Sequence, residues 1–377
     1  DTKSDVFQRV LNNLRYIAGD DVRVGLFGND FLLHPNVGEL IRLLNESQLA
    51  YELCTVGKSP KNHDVEGIFW NVAQRMDKDK GSLVFSTDYT EESAESIYRA
   101  GEGHPMYSYA FKALNFWKAS RLLKTMRISV RANIVISKNN INEVALMAER
   151  VARLGFAVSF CFVQVRHSQF DRLLSTGITS EGEEKFVQYM RRTRMLNEKE
   201  IKKIIRDFKE IISVKKIWDS LKVFNVFRGI GSDEAIVSPK KMIDMRGRLL
   251  DLKKEMKKET GEDLIIPREK FIRGLGFPGN GCLDLLRQGI FPQLKVGSEG
   301  QLIFCCDLHD PITQKFMLSD LRKERNRKKF LEAMRRNPYV WMCNFFNGGC
   351  DSTEDMLYGG CHFSVNYVKY SAANANV

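Results

Sequence analysis

The sequence predicts an α/β protein whose first half is a parallel sheet, either open or curled into a barrel. Five short runs of β-branched, aromatic or apolar residues alternate there with segments of helical spacing, and this alternation is typical of parallel strands. Hydrophobic residues are 43% and charged residues 28% of the 377 residues, as in an ordinary folded protein. Six of the eight cysteines follow residue 281, which sets the C-terminal part of the chain apart.

The predicted elements follow one another in chain order. Strands are expected at 22–27, 51–54, 82–86, 128–136 and 156–165, and helices at 4–17, 37–44 and 107–124. The clearest helix lies between the last two strands. Asn140 and Glu143 predict an Asn variant of the capping box at its start, and Gly155 supplies its stop. Its apolar face is marked by Val144, Met147, Val151 and Leu154.

Polar residues concentrate where the predicted strands end. They are Gly28, Asn29 and Asp30 after the first strand, Ser86 and Asp88 after the third, Arg99 further on, and Arg131 with Asn133 inside the fourth. Each has a local explanation as a turn, a helix cap or a rim residue. A charge such as Arg131 inside an apolar run needs a partner. Because the carboxyl ends of parallel strands meet at one edge, the shared location predicts a polar ligand pocket.

Two basic stretches carry most of the net charge of +11. Residues 191–216 and 321–336 each hold six more basic than acidic residues. Apolar residues at helical spacing, such as Ile201, Ile204 and Ile205, favour solvated faces of amphipathic helices. An anionic partner, such as a nucleic acid or an acidic peptide, stays open as the alternative. The longest near-apolar run, 156–165, is far shorter than the ~18 residues that a membrane span requires, so no membrane partner is expected.

The C-terminal cysteines are candidate metal ligands. Thiolates bind zinc and iron-sulfur clusters, and neighbouring glycines let the backbone wrap closely around a metal. The candidates are Cys282, Cys305, Cys343, Cys350 and Cys361. Cys306 would point away from Cys305 on a strand, and a hairpin of 293–296 with 301–304 is expected there. Disulfide pairing is the alternative, whereas the solitary Cys54 and Cys161 are predicted to be ordinary buried thiols.

The residues after the first strand resemble a known family. They read Leu26-Phe27-Gly28-Asn29-Asp30-Phe31-Leu32-Leu33-His34-Pro35 and resemble the Gly-Gly-Glu-Pro-Leu-Leu-x-Pro segment of radical S-adenosylmethionine enzymes. Cys54-Thr55-Val56-Gly57 is similar to their Thr-Asn-Gly strand end, and Ser86-Thr87-Asp88, Arg99 and 131–142 match later elements in order. The resemblance covers residues 4 to 165. It implies a partial (β/α)6 TIM-type barrel that lacks its first strand and binds S-adenosylmethionine.

The resemblance also implies which residues bind the cofactor. Gly28, Asn29 and Asp30 would lie near its amino group. Ser86, Arg99 and Arg131 would lie near its ribose and carboxylate, and Asp88 belongs to the same set. The chemistry agrees, because a zwitterionic ligand needs acceptors for its ammonium and a cation for its carboxylate.

An activity follows from the same resemblance. In this family a [4Fe-4S] cluster cleaves S-adenosylmethionine reductively, and the resulting radical abstracts hydrogen from a small-molecule or peptide substrate, with flavodoxin or ferredoxin as electron donor. The C-x3-C-x2-C loop that holds this cluster is not in the sequence. Since the helix at 4–17 is the one that follows the loop, the loop is expected upstream of Asp1 and the chain alone is expected to be inactive. A cytoplasmic location is expected, and a natural barrel without its cluster is the alternative.

The tail resembles the auxiliary-cluster domains called SPASM and twitch. The resemblance rests on Cys282-x17-Gly300-x4-Cys305, and it implies one twitch-like [4Fe-4S] cluster in a small Cys-rich α+β domain, with zinc as the alternative. The predicted domains are a barrel at 1–175, a basic helical insertion or bridge at 176–270 and the auxiliary domain at 271–370. The rival function is a catalytically dead barrel whose zinc-bound tail binds nucleic acid or protein.

Overall fold

The structure contains the predicted parallel sheet. The computed structural model describes residues 4–19, 22–26, 31–55, 65–162, 180–213, 237, 239–261, 264–273, 275, 286, 295–297, 299–303, 315–338 and 340–341. The five strands are β1 (Arg23–Leu26), β2 (Ala50–Thr55), β3 (Gly81–Thr87), β4 (Ser129–Ile136) and β5 (Ala157–Phe162). They pair in chain order, and every pair is parallel. This arrangement confirms the α/β class and matches a partial TIM-type barrel.

Helices precede and connect the strands as the sequence predicts. They are α1 (Ser4–Ala18), α2 (Val37–Ser47), α3 (Val65–Arg75), α4 (Glu91–Arg99), α5 (Tyr107–Met126) and α6 (Val144–Arg153). The expected stop after α6 is confirmed, because Gly155 has a φ of +83°, a left-handed conformation that glycine adopts without strain. The predicted capping box is wrong. Glu143 is the N-cap of α6 and makes no side-chain cap bond there, since its carboxylate binds residues near α4 instead.

The two faces of the sheet differ in chemistry. Residues Leu53, Phe85 and Ile134 alternate onto the face that packs against the helices, where they are almost completely buried. The ring of Phe85 lies 5.0 Å from that of Phe69 on α3 and 5.5 Å from that of Phe116 on α5. The opposite face carries polar side chains, because residues at alternate positions of a strand point to opposite sides. The candidate site lies on this second face.

The chain divides into two compact units, of which the sheet belongs to the first. This unit comprises Asp1–Val163 and Val237–Leu275. The later segment supplies α7 (Pro239–Thr260), which begins at the predicted helix start and contacts α6, and α8 (Glu269–Arg273). The carbonyl of Ile265 accepts a 2.8 Å hydrogen bond from the amide of Val158, so this segment also covers part of the edge strand β5.

The second unit comprises Gln164–Ile236 and Gly276–Val377. Its described elements are α9 (Ser180–Thr193), α10 (Glu198–Ser213), β6 (Lys295–Val296), β7 (Leu302–Ile303) and α11 (Glu324–Arg335). The antiparallel pair β6 and β7 confirms the predicted hairpin. Ile201, Ile204 and Ile205 are buried on α10, which supports the amphipathic interpretation of the basic stretches. The division into three domains stays a prediction.

No helix within the described ranges combines the length and the apolarity that a bilayer crossing requires.

Candidate functional site

An ion-pair network crosses the middle of the polar face. Glu52, the third residue of β2, accepts from Arg23 Nη1 on β1 at 3.0 Å through Oε1 and from Arg131 Nη2 on β4 at 2.6 Å through Oε2. Strand β3 lies between β2 and β4, so the second bond passes over its side chains. The expectation that Arg131 needs a partner is therefore confirmed, and Glu52, which the sequence analysis did not identify, is that partner.

The network leaves positive charge unbalanced. Two guanidinium groups share a single carboxylate, and the side chain of Glu52 is only 10% exposed. Arg131 is 29% exposed, and its Nε is buried without a hydrogen-bond partner among the described residues. Buried donors are normally satisfied, so an orphaned Nε next to a surplus cation favours an anionic ligand group at this place.

A polar row lies closer to the carboxyl ends of the strands. The register aligns Ser86 of β3, Asn133 of β4 and Ser159 of β5 on the same face. The Ser159 hydroxyl donates to Asn133 Oδ1 at 3.2 Å, and Asn133 Nδ2 donates to the sulfur of Cys161 at 3.2 Å. Burial raises the pKa of the Cys161 thiol, so the sulfur stays protonated. Cys161 is buried as predicted, whereas Cys54 is only half-buried.

Asp88 follows this row at the edge of the sheet. One position beyond Thr87, it continues the alternation that places Ser86 on the polar face. Burial raises the pKa of the Asp88 carboxyl to about 7, and the positive charge of Lys112 on α5 acts in the opposite direction. Burial and the Asp88 charge also raise the pKa of Tyr109 on the same helix. The carboxyl therefore exchanges its proton near neutral pH.

Asn140 fixes the backbone around Asp88. Its Nδ2 donates to the carbonyls of Asp88 at 2.5 Å and Val135 at 2.6 Å, and its Oδ1 accepts from the amide of Ser137 at 2.8 Å. Trp117 on α5 secures the next residue, because its Nε1 donates to the carbonyl of Tyr89 at 2.9 Å. The ends of β3 and β4 are thus tied together by one buried amide.

Glu143 ties the same edge to α4. Its Oε2 accepts from the hydroxyl of Thr90 at 2.9 Å and its Oε1 from the hydroxyl of Ser93 at 2.6 Å. Thr90 is the N-cap of α4 and accepts from the amide of Ser93. A negative charge at a helix N-terminus is favourable, so Glu143 stabilises the segment that carries Asp88.

The structure brings only some of the predicted ligand-binding residues together. Ser86, Asp88 and Arg131 lie on one face of the sheet, with Ser86 and Asp88 nearer its edge. Arg99 is exposed at the end of α4, where it pairs with Glu95 of its own helix at 2.9 Å. The other predicted residues lie outside the described ranges; they are Gly28, Asn29, Asp30, Cys282, Cys305, Cys343, Cys350 and Cys361. Within the described part of the chain, no three His, Cys, Asp or Glu residues are grouped to hold a metal ion.

Comparison with known proteins finds similarity in structure alone. No protein-family model matches the sequence, and no curated protein matches it. The structure is similar to that of native anSMEcpe with bound AdoMet, with a TM-score of 0.50, 12% identity and coverage of 98% of this chain and 86% of that one. A polyhistidine-tagged form of anSMEcpe with bound AdoMet gives 0.51, 11%, 100% and 87%. SuiB of Streptococcus suis gives 0.49, 11%, 97% and 68%. These neighbours are radical S-adenosylmethionine enzymes, and the chain shares the fold of anSMEcpe.

Proposed function

We propose that this chain is part of a radical S-adenosylmethionine enzyme and that it binds S-adenosylmethionine on the polar face of its parallel sheet. The observation that carries the proposal is a strand-end site of hydroxyl, carboxyl and guanidinium groups in a fold shared with an AdoMet-bound protein. Ligands of parallel sheets bind at the carboxyl ends of the strands, and this is where Ser86 and Asp88 lie.

The donor and acceptor groups fit a zwitterionic nucleoside ligand. The Ser86 hydroxyl suits a ribose hydroxyl, and a carboxylate of Asp88 suits an ammonium. The unpartnered Nε of Arg131 suits a carboxylate. Gly28, Asn29 and Asp30 complete the proposed set, whereas Arg99 would have to leave Glu95 to join it.

The chemistry of the whole enzyme rests on iron-sulfur clusters. A [4Fe-4S] cluster reduced by a flavodoxin or ferredoxin would supply the electron that cleaves the cofactor, so that a carbon radical takes hydrogen from a small-molecule or peptide substrate. We propose four of Cys282, Cys305, Cys343, Cys350 and Cys361 as ligands of one auxiliary cluster, in a C-terminal domain at 271–370 that follows a bridge at 176–270. Iron, sulfide and zinc analysis of anaerobically purified protein tests this: near-equal iron and sulfide supports it, and stoichiometric zinc contradicts it.

The test of the cofactor proposal is calorimetric titration of the purified chain with S-adenosylmethionine. Saturable one-site binding is expected, and Ser86→Ala should weaken it because a hydroxyl partner is lost. Lys118→Ala is the matched control, since Lys118 is 60% exposed on α5 and its nearest carboxylate, of Glu66, is 3.9 Å away. Absence of binding, or equal weakening by both variants, would overturn the proposed site.

A binding module is the second candidate, and the exposed basic side chains on α10 favour it. Lys202, Lys203 and Arg206 lie opposite the buried isoleucines of that helix. Such a module would bind RNA with an affinity that falls steeply as salt rises. Tight, salt-sensitive RNA binding together with no S-adenosylmethionine binding would replace the enzyme proposal by this one.

A further inference from the structure

The long side chain of Arg131 is held in one place by Glu52. An arginine side chain has several rotatable bonds, and fixing it costs up to about 2 kcal/mol of rotamer entropy. The 2.6 Å bond from Nη2 to Glu52 Oε2 supplies the fixing, and Glu52 is itself held by the 3.0 Å bond from Arg23. Both bonds join neighbouring or next-but-one strands of one rigid sheet, so the guanidinium is oriented before any ligand arrives.

The orientation leaves a donor edge unused. Nη2 is occupied by Glu52, whereas Nε is buried and has no partner among the described residues. Guanidinium groups bind carboxylates through two parallel N–H donors, and Nε is one of the donors that such an arrangement uses. One carboxylate against two guanidiniums also leaves a surplus positive charge for an anion to neutralise.

We propose that Glu52 is a positioning residue, which orients Arg131 to receive the carboxylate of an amino-acid ligand. The proposal rests on the proposed function and adds to it a residue and a division of labour. Glu52 does not touch the ligand, Arg131 does, and Arg23 keeps Glu52 in place from the exposed side of the network, where it is 58% accessible.

A purely structural ion pair would give the same picture in the absence of ligand. The two roles differ in what they do to the contribution of the ligand's carboxylate. S-adenosylmethionine carries that carboxylate, and 5′-methylthioadenosine shares its adenosine and sulfur but lacks the amino-acid part. The ratio of their affinities for one protein variant therefore measures what the amino-acid end gains, independently of how much folded protein is present.

The experiment titrates the full chain and its variants with both compounds by calorimetry. Wild type should prefer S-adenosylmethionine, and E52Q should lose ~10-fold to ~100-fold of that preference, as expected for a charge-assisted hydrogen bond. Affinity for 5′-methylthioadenosine should stay unchanged. R131Q should lose the preference as E52Q does, and R23Q, the exposed control, should keep most of it.

The exchanged double variant E52R/R131E separates positioning from stability. It keeps an ion pair between β2 and β4, so it should fold even where E52Q does not, but it moves the cation to the wrong strand. Loss of the carboxylate preference in this folded variant supports the positioning role. Retention of the preference in E52Q or in the double variant overturns it while leaving the proposed function intact. A wild type that binds neither compound overturns both, and one that binds both equally overturns only the role of Glu52 and Arg131.

Discussion

The middle and the carboxyl edge of the sheet treat a carboxyl group in opposite ways. In the middle, Glu52 is almost buried and accepts from two guanidinium groups at 3.0 and 2.6 Å. At the edge, Asp88 has no ion-pair partner among the described residues, and burial raises its pKa to about 7. The edge is held by the neutral amide of Asn140 through backbone carbonyls. The comparison teaches that charges orient side chains in the middle, whereas the edge fixes the backbone and leaves its carboxyl responsive to pH.

The largest expected effect is a loss of stability as the pH rises, caused by Asp88. The unfolded carboxyl titrates near pH 4, and the folded one near 7. Between these values the native state keeps a proton that the unfolded chain has lost, so stability is fully present below about pH 4 and falls until about pH 7. Three pKa units correspond to as much as ~4 kcal/mol.

Asp88→Asn isolates this effect, because its amide does not titrate. Free energies of unfolding are measured by denaturant titration at intervals from pH 4 to 8. The difference between wild type and Asp88→Asn should fall across this range to the disadvantage of the wild type. A difference that is flat, or that rises with pH, would show that Asp88 is stabilised as a carboxylate and that the contrast with Glu52 is wrong.

Asn140→Ala tests how the edge is held, and we expect a loss of about 3 kcal/mol in the free energy of unfolding. Asn140 is 1% exposed, and its removal leaves the Asp88 and Val135 carbonyls and the Ser137 amide without their partner. Asn139→Ala is the control, because Asn139 is exposed and its amide contacts only the sulfur of Met106, at 3.7 Å, within the described part of the chain. Equal unfolding free energies for the two variants would show that the strand ends do not depend on this amide.

The sequence predicted the frame of this site better than its connections. All five strands and the stop at Gly155 follow from local periodicity and backbone preference, which are properties of short segments. The requirement that Arg131 have a partner also followed from local reasoning. The identity of that partner did not, because Glu52 is 79 residues away and alternation alone says only which face it occupies.

Asn140 and Glu143 show the same limit in another form. Their spacing is that of a capping box, and a local interpretation satisfies both side chains at the start of α6. In the structure both reach the preceding βα unit, where Asp88, Thr90 and Ser93 receive them. A signal for this existed in Thr90-x-x-Ser93, whose hydroxyls need an acceptor, but only the fold brings β3 and β4 together. Tertiary partners replaced the local ones.

Removing either partner of the mid-sheet ion pair should give unequal losses of stability. Glu52→Met leaves the partly buried Arg131 without its carboxylate, and we expect a loss of about 2 to 3 kcal/mol. Arg131→Met leaves Glu52 still paired with Arg23, so about 1 kcal/mol is expected. Denaturant unfolding of both variants at one pH measures the difference. A larger loss for Arg131→Met would mean that the arginine, not the glutamate, is the better compensated residue, and that the network carries no surplus positive charge.

The smallest effect concerns Glu143, and it distinguishes a fixed edge from a merely crowded one. Its carboxylate accepts from the hydroxyls of Thr90 and Ser93 at the start of α4. Glu143→Gln keeps the shape but removes the charge and one acceptor, so a loss of about 1 kcal/mol is expected. Glu91→Gln is the control, since Glu91 is also in the first turn of α4 but pairs with the exposed Arg121.

Amide hydrogen exchange in α4 gives the local readout. If Glu143 anchors the helix from the neighbouring βα unit, Glu143→Gln should speed exchange throughout α4 and at the Thr90 amide, which bonds to the same carboxylate. Glu91→Gln should speed exchange only within the first turn, because its ion pair lies on the surface. Equal patterns in the two variants would mean that any carboxylate near the helix start has the same effect. The edge would then owe its rigidity to Asn140 alone, and Asp88 would be positioned by its own strand rather than by the joining of two βα units.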